Sequence, residues 1–232
     1  MLRSLNVKDS INYYETNTEA FIESTINVDM CAERNEFLAL LPPNAKILDL
    51  GCGAGRDTKA FAELGYSVTA IDGSPALCEY ASAYSGQKVL CMRFEDISWK
   101  EEFDGVWASA SLLHVSKEEM LPVFQKISAA LKPGGIAYIS YKYGSGERED
   151  NGRYYNDYTE ADVLELFCPE SGLECIGYRI TGDSRPERTN MWLTCMARRR
   201  HGSEMTRREL PLATPAGEGL ATKTKTETLR IK

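Results

Sequence analysis

Residues 46–57 read "KILDLGCGAGRD", with Gly51, Gly53 and Gly55 at alternate positions behind an apolar run that contains Asp49. A glycine turn between a strand and a helix lets backbone approach a ligand closely, because no side chain intervenes. The helix that follows adds a partial positive charge at its N-terminus. Such turns cradle nucleotides. The dinucleotide fingerprint is G-x-G-x-x-G. Here the third glycine comes one residue early, and Arg56 takes the slot where helix and strand pack tightly. That order argues against the pyrophosphate turn of a nicotinamide or flavin enzyme. A second set of chemically able residues lies later. Lys142, Arg148, Arg153, Arg185 and Arg188 fall on two segments, "YKYGSGEREDNGRYYNDYT" and "TGDSRPERTN", with Tyr141, Tyr143 and Tyr154 among them. Arginine suits bidentate capture of phosphate or carboxylate. The alternative is a set of solvated arginines paired with Glu147, Glu149, Asp150 and Glu187. His114 follows an apolar strand pattern and reads equally as a base, as a donor that positions an acceptor, or as a satisfied structural histidine.

These residues need a frame. The chain has 232 residues, 43% of them apolar, enough for one sizeable α/β domain. Residues 1–40 carry apolar residues at helical spacing, stopped by Pro42 and Pro43. Strands are expected at 46–50, 67–72, 88–92, 103–110 and from 136, with helices at 56–64, 75–84 and 116–131 between them. Thr159 and Asp162 form a capping-box pattern for a helix through Phe167. Two more strands follow at 173–181 and 190–198. This alternation predicts a parallel sheet with helices on both faces. The two last strands have no helix between them and predict an antiparallel edge.

Net charge is −7. That disfavours extended contact with nucleic acid or an anionic membrane, without excluding a local basic pocket. The apolar runs are far short of the roughly 20 residues that span a bilayer. No signal-peptide pattern opens the chain, so a cytoplasmic protein is expected. The seven cysteines form no CxxC pair and read as buried, reduced thiols. Two histidines leave no histidine-rich metal site, and no metal is expected. The Thr-, Lys- and Glu-rich segment 201–232 is expected to be a disordered tail.

Several segments together carry a family likeness. "LDLGCGAG", "VTAIDGS", "MRFEDI", "FDGVWASASLLHV" and "LKPGG", in this order over residues 46–140, resemble the successive motifs of class I S-adenosylmethionine-dependent methyltransferases. "GCGAGRD" and "WLTCMARR" are loosely similar to the tellurite-resistance-type subgroup. The resemblance implies a Rossmann-like α/β fold: a mostly parallel seven-stranded sheet, helices on both faces and an antiparallel C-terminal edge strand. It implies an N-terminal lid over 1–44, a cofactor-binding domain over 45–200, and S-adenosylmethionine as the cofactor. The cofactor contacts it implies are Asp49, Gly51, Cys52, Gly53 and Arg56 at the glycine turn. Asp72, Gly73 and Ser74 follow the second strand, with Asp72 on the ribose hydroxyls. Asp96, with Glu95 as the alternative, and Ile97 lie beyond the third strand at the adenine. Ser109 lines the transfer site, and Tyr14 of the lid covers the cofactor. His114, Arg153 and Arg185 are the candidate catalytic residues. The function expected is methyl transfer to a small anionic acceptor by in-line displacement. Alternatives are methylation of RNA, such as a tRNA end, and a non-catalytic S-adenosylmethionine-binding protein that acts by interaction.

Overall fold

The computed structural model describes residues 7–185 and 187–200. Five strands run parallel: β1 (Lys46–Leu50), β2 (Ser67–Asp72), β3 (Val89–Cys91), β4 (Phe103–Ala108) and β5 (Leu131–Lys142). Two later strands, β8 (Leu173–Gly182) and β9 (Met191–Arg199), complete a seven-stranded sheet of order β3-β2-β1-β4-β5-β9-β8. The antiparallel strand expected at the C-terminal end is β9. It pairs antiparallel with β5 on one side and with β8, which takes the outermost place, on the other. The chain moves outward from β1 through β2 to β3, then crosses back to β4 and continues the other way. That reversal opens a crevice beyond the C-terminal ends of β1 and β4, where open α/β sheets bind ligands.

Strand alternation feeds two cores. Ile47 and Trp107 point to one face, where they meet Phe37 of α3 (Cys31–Leu38) and Phe61 of α4 (Arg56–Glu63). Trp107 stacks on Tyr138 with centroids 3.8 Å apart. Leu48, Leu50 and Val106 point to the other face, against Phe124 and Ile127 of α6 (Lys117–Ala130). A third cluster packs α5 (Pro75–Ser85) on β2 and β3 through Ala70, Cys78, Ala81 and Val89. Two helix caps are present, the first of them expected from sequence. Thr159 and Asp162 close a capping box on α7 (Glu160–Leu166), and Ser74 with Pro75 starts α5.

One element is not among the strands expected from sequence. Residues 146–157 form a hairpin, β6 (Gly146–Asp150) with β7 (Arg153–Asp157), in which Asp150 pairs with Arg153 across a two-residue turn. Asn151 and Gly152 both have positive φ, 51° and 75°, the mark of the type I′ turn whose twist matches its strands. The cysteines also correct the expectation. All seven are free, but only Cys78 and Cys195 are buried, and Cys31 and Cys91 are exposed. The tail over 201–232 lies outside the described residues. Among those that are described, no helix is long and apolar enough to cross a membrane.

Candidate active site

The glycine turn folds back over the end of β2. Gly51 and Cys52 both donate their N–H to the carbonyl of Ile71 at 2.9 Å. Gly51 and Gly53 have φ of +76° and +54°, a region that favours glycine. The Gly53 N–H donates to Asp72 Oδ2 and the Ser74 N–H to Asp72 Oδ1, each at 2.9 Å. Burial pushes the Asp72 carboxyl up, against these backbone donors. Each of its oxygens still has a lone pair for a ligand hydroxyl. Asp49 is nearly fully buried and accepts from the Thr58 hydroxyl at 2.5 Å. Burial foremost, then the charge of Asp57, pushes its carboxyl up to about 7.

Above this floor lies a cavity of about 480 Å³, within the range of roughly 300–1,000 Å³ common for small-molecule sites. Asp49, Gly51, Cys52, Gly53, Arg56, Asp72, Gly73, Glu95, Ser109 and Tyr14 all line it, as do His114, Arg153 and Arg185. Three expected contacts do not. Ser74 is buried and caps α5 through the Leu77 N–H. Ile97 is a core residue. Asp96 sits exposed on a short 3-10 turn (Phe94–Asp96), where Met92, Arg93, Phe94 and Glu95 face the cavity in its stead. The geometry therefore favours Glu95, the alternative, over Asp96.

A roof closes the cavity from the N-terminal side. It consists of α1 (Val7–Thr16) and α2 (Thr18–Thr25). Phe21 lies so close to the turn that a Cβ at Gly53 would come within 3.1 Å of its ring. Ser10 accepts from the Tyr154 N–H at 3.0 Å, and Glu15 accepts from the Ala76 N–H at 3.0 Å and from the Ser74 hydroxyl. Tyr14 packs edge-on against Phe21 and reaches His114. Arg56 extends to the carbonyl of Thr25 at the end of α2.

The basic residues divide into two groups. Arg185 makes a two-point pair with Asp183, at 2.8 and 2.7 Å, and Asp183 also accepts from the Trp192 indole. Arg185 therefore joins the β8–β9 connection internally, and its charge is already matched. Arg148 pairs with Asp157 at 2.7 Å and Asp150 at 3.5 Å. Lys142 and Arg153 differ. Both line the cavity, and among the described residues neither has a carboxylate partner. Arg153 lies over the rings of Tyr13 and Tyr155, with a buried Nε that has no acceptor. Lys142 Nζ sits 4.0 Å above the Tyr155 ring. Burial, then the charges of Arg148 and Arg153, lower its pKa. The aromatic partner is thus Tyr155. Tyr141 and Tyr154 are buried elsewhere, and Tyr143 is exposed. Tyr155 could have been found by reading "DNGR" as a hairpin turn, because alternation along β7 then places Arg153 and Tyr155 on one face.

His114 is buried, with both ring nitrogens engaged, to Tyr14 Oη at 2.8 Å and to the Tyr154 carbonyl at 2.6 Å. Burial chiefly, with Arg153 and Lys142 adding to it, brings its pKa down to about 4, so the ring is neutral at pH 7.

Residues 47–135 match the family described as a methyltransferase domain. A ubiquinone biosynthesis O-methyltransferase of Xanthomonas campestris is 34% identical over 105 residues, 42% of this chain and 43% of that one. A cypemycin N-terminal methyltransferase of Streptomyces is 34% identical over 98 residues, 40% of each chain. Residues 47–135 therefore carry a methyltransferase domain. The chain matches less than half the length of these relatives. Its fold is also that of the Burkholderia thailandensis 1,6-didemethyltoxoflavin-N1-methyltransferase, solved with 1,6-didemethyltoxoflavin and S-adenosylhomocysteine. The TM-score is 0.69 at 24% identity, covering 85% of this chain and 88% of that one. The tellurite-resistance-type likeness rests on its two short segments alone.

The residues present fit the cofactor of this family. Asp72 offers free lone pairs at a strand end, and Asp49 is a buried carboxylate beside the glycine turn. Arg56 does not supply an unmatched charge, because it is paired with Asp57 at 2.7 Å.

Proposed function

We propose that the chain transfers the methyl group of S-adenosylmethionine to a small acceptor that carries an anionic group. When bound, the cofactor supplies a methyl group on a sulfonium, a carbon open to in-line displacement. The chain's part is mostly placement, which in general is worth several kcal/mol. Asp72 and Glu95 would hold the nucleoside, and the Gly51–Gly53 backbone with Asp49 would hold the methionine part. Tyr14 and Phe21 would cover it and exclude water. Ser109, His114, Lys142 and Arg153 then face the acceptor from the ends of β4, β5 and β7.

One observation carries the anionic reading: among the described residues, Lys142 and Arg153 converge on the cavity with no carboxylate in ion-pair contact with either. Two such charges, partly desolvated, are stabilised by an anion between them. The likeness to a ubiquinone biosynthesis O-methyltransferase, a cypemycin N-terminal methyltransferase and a 1,6-didemethyltoxoflavin-N1-methyltransferase supports a small acceptor.

The test is thermal and needs no known acceptor. S-adenosylhomocysteine should raise the melting temperature, and NAD should not. Inorganic phosphate should then stabilise the cofactor-bound wild type more than Arg153→Ala or Lys142→Met. Equal, small effects on all three proteins would remove the anionic acceptor. Stabilisation by NAD alone would remove the methyl donor. Labelled cofactor incubated with cell extract, followed by mass spectrometry of the labelled product, would name the acceptor.

A further inference from the structure

The hydrogen bond between Tyr14 and His114 has a direction that the surroundings fix. His114 Nδ1 lies 2.6 Å from the Tyr154 carbonyl oxygen. A carbonyl oxygen only accepts, so Nδ1 carries the hydrogen. In the neutral ring Nε2 is then bare, and the Tyr14 hydroxyl donates to it at 2.8 Å. This leaves the lone pairs of Tyr14 Oη to accept, from the Arg153 guanidinium beside it and from whatever occupies the cavity that both residues line.

We propose that Tyr14 and His114 form a two-step proton relay, so that the acceptor atom is one that loses a proton, a hydroxyl oxygen or an N–H nitrogen. The inference rests on the methyl-transfer reading and deepens it. The acceptor's proton passes to Tyr14 Oη as the Tyr14 proton passes to His114 Nε2. The acceptor's lone pair forms the bond to the methyl carbon while the carbon–sulfur pair returns to sulfur. The positive charge that leaves the sulfonium reappears on the imidazolium, so atoms and charge balance.

The groups around His114 decide when the relay can run. Tyr14 faces it from α1, Lys142 from β5, and Arg153, Tyr155 and the Tyr154 carbonyl from β7. Among the described residues the two charges that bear on the ring are both positive, and they oppose an imidazolium. An anion seated between Lys142 and Arg153 cancels that opposition. The relay is therefore silent in the empty site and enabled by an anionic acceptor, which ties the base to the presence of its substrate.

The experiment uses the full chain labelled with 15N-histidine and loaded with S-adenosylhomocysteine. His201 is the only other histidine, so His201→Gln isolates the signals of His114. At pH 7 Nδ1 should show a bound proton and Nε2 a hydrogen-bonded bare nitrogen, and Tyr14→Phe should abolish the latter's hydrogen-bond shift. Inorganic phosphate, the anion probe, should move the His114 titration up by at least one pH unit, a tenfold change in proton affinity. Lys142→Met should lose most of that change. A proton found on Nε2 overturns the relay, because Tyr14 would then be the acceptor. A titration that ignores phosphate, whether bound or failing to bind, overturns the enabling by the anion and with it the relay. Failure of the methyl-transfer reading shows separately, as absence of S-adenosylhomocysteine binding with the His114 tautomer unchanged.

Discussion

Asp49 and Asp72 are carboxylates at strand ends, the first buried and the second half-buried, and their surroundings give them different work. Asp72 is held by two backbone N–H groups, which support its charge and leave it as a fixed acceptor. Asp49 has one hydroxyl donor and a second carboxylate, Asp57, near enough to oppose it. Its carboxyl is therefore pushed up to about 7 in the protein alone. A cationic ligand beside it favours the ionised form. Below pH 7 the carboxyl holds a proton that such a ligand must expel. Affinity for S-adenosylmethionine should therefore fall as pH falls from 7.5 to 5.5, approaching about tenfold per pH unit at the acid end. Calorimetry in buffers of different ionisation enthalpy should show protons released on binding below pH 7. Asp49→Asn should bind more weakly with a flat profile over this window. A wild-type affinity that is flat from pH 5.5 to 7.5 would mean that Asp49 does not meet the ligand's charge.

The roof is two short helices attached at few points. Glu15 is one of them: its carboxylate accepts from the Ala76 N–H and the Ser74 hydroxyl at the start of α5, next to Asp72. The contact is solvent-exposed on the Glu15 side, so it is worth about 0.5–1 kcal/mol. Glu15→Ala should speed cofactor release roughly two- to fivefold by the same measure, with melting temperature nearly unchanged. Stopped-flow displacement of S-adenosylhomocysteine checks this, and an unchanged release rate would show that the roof is held elsewhere. The strands, the glycine turn and Asp72 were legible in sequence because period, punctuation and motif order agree there. The roof's partners were not, because Tyr14 and His114 are 100 residues apart and meet only through the fold. The hairpin was a misreading of a local signal, Asn151–Gly152, which marks a type I′ turn. Arg185 is hard to read for the opposite reason. Its charge is cancelled by Asp183, two residues away, and a count of basic residues hides such local pairing.

Across the whole molecule, net charge is −7 while one wall of the cavity is positive. The general field attracts a cationic methyl donor and repels an anionic acceptor, so capture of the acceptor falls to Lys142 and Arg153 at short range. The opposite wall is organised around one buried carboxylate. Asp57 binds Arg34 at 2.6 Å from α3, Arg56 at 2.7 Å from its own helix, and the Trp107 indole at 3.0 Å from β4. Burial pushes its carboxyl up, but the two arginines outweigh this and hold it below the usual carboxylate range. Through Arg56 and the Thr25 carbonyl the same network reaches the roof. Removing this single anion would leave two mostly buried guanidinium groups facing each other. Such a loss typically costs about 3–5 kcal/mol. For a chain of this size that corresponds to a fall in melting temperature of roughly 6–20 °C. Asp57→Ala should show this fall together with a change in Trp107 emission, because the indole loses its acceptor. It should also weaken cofactor binding, since the turn and the roof are joined by the same arginine. A fall below about 2 °C, on the same scale, would show that Arg34 and Arg56 turn out to solvent, and that the roof is held by α1 alone.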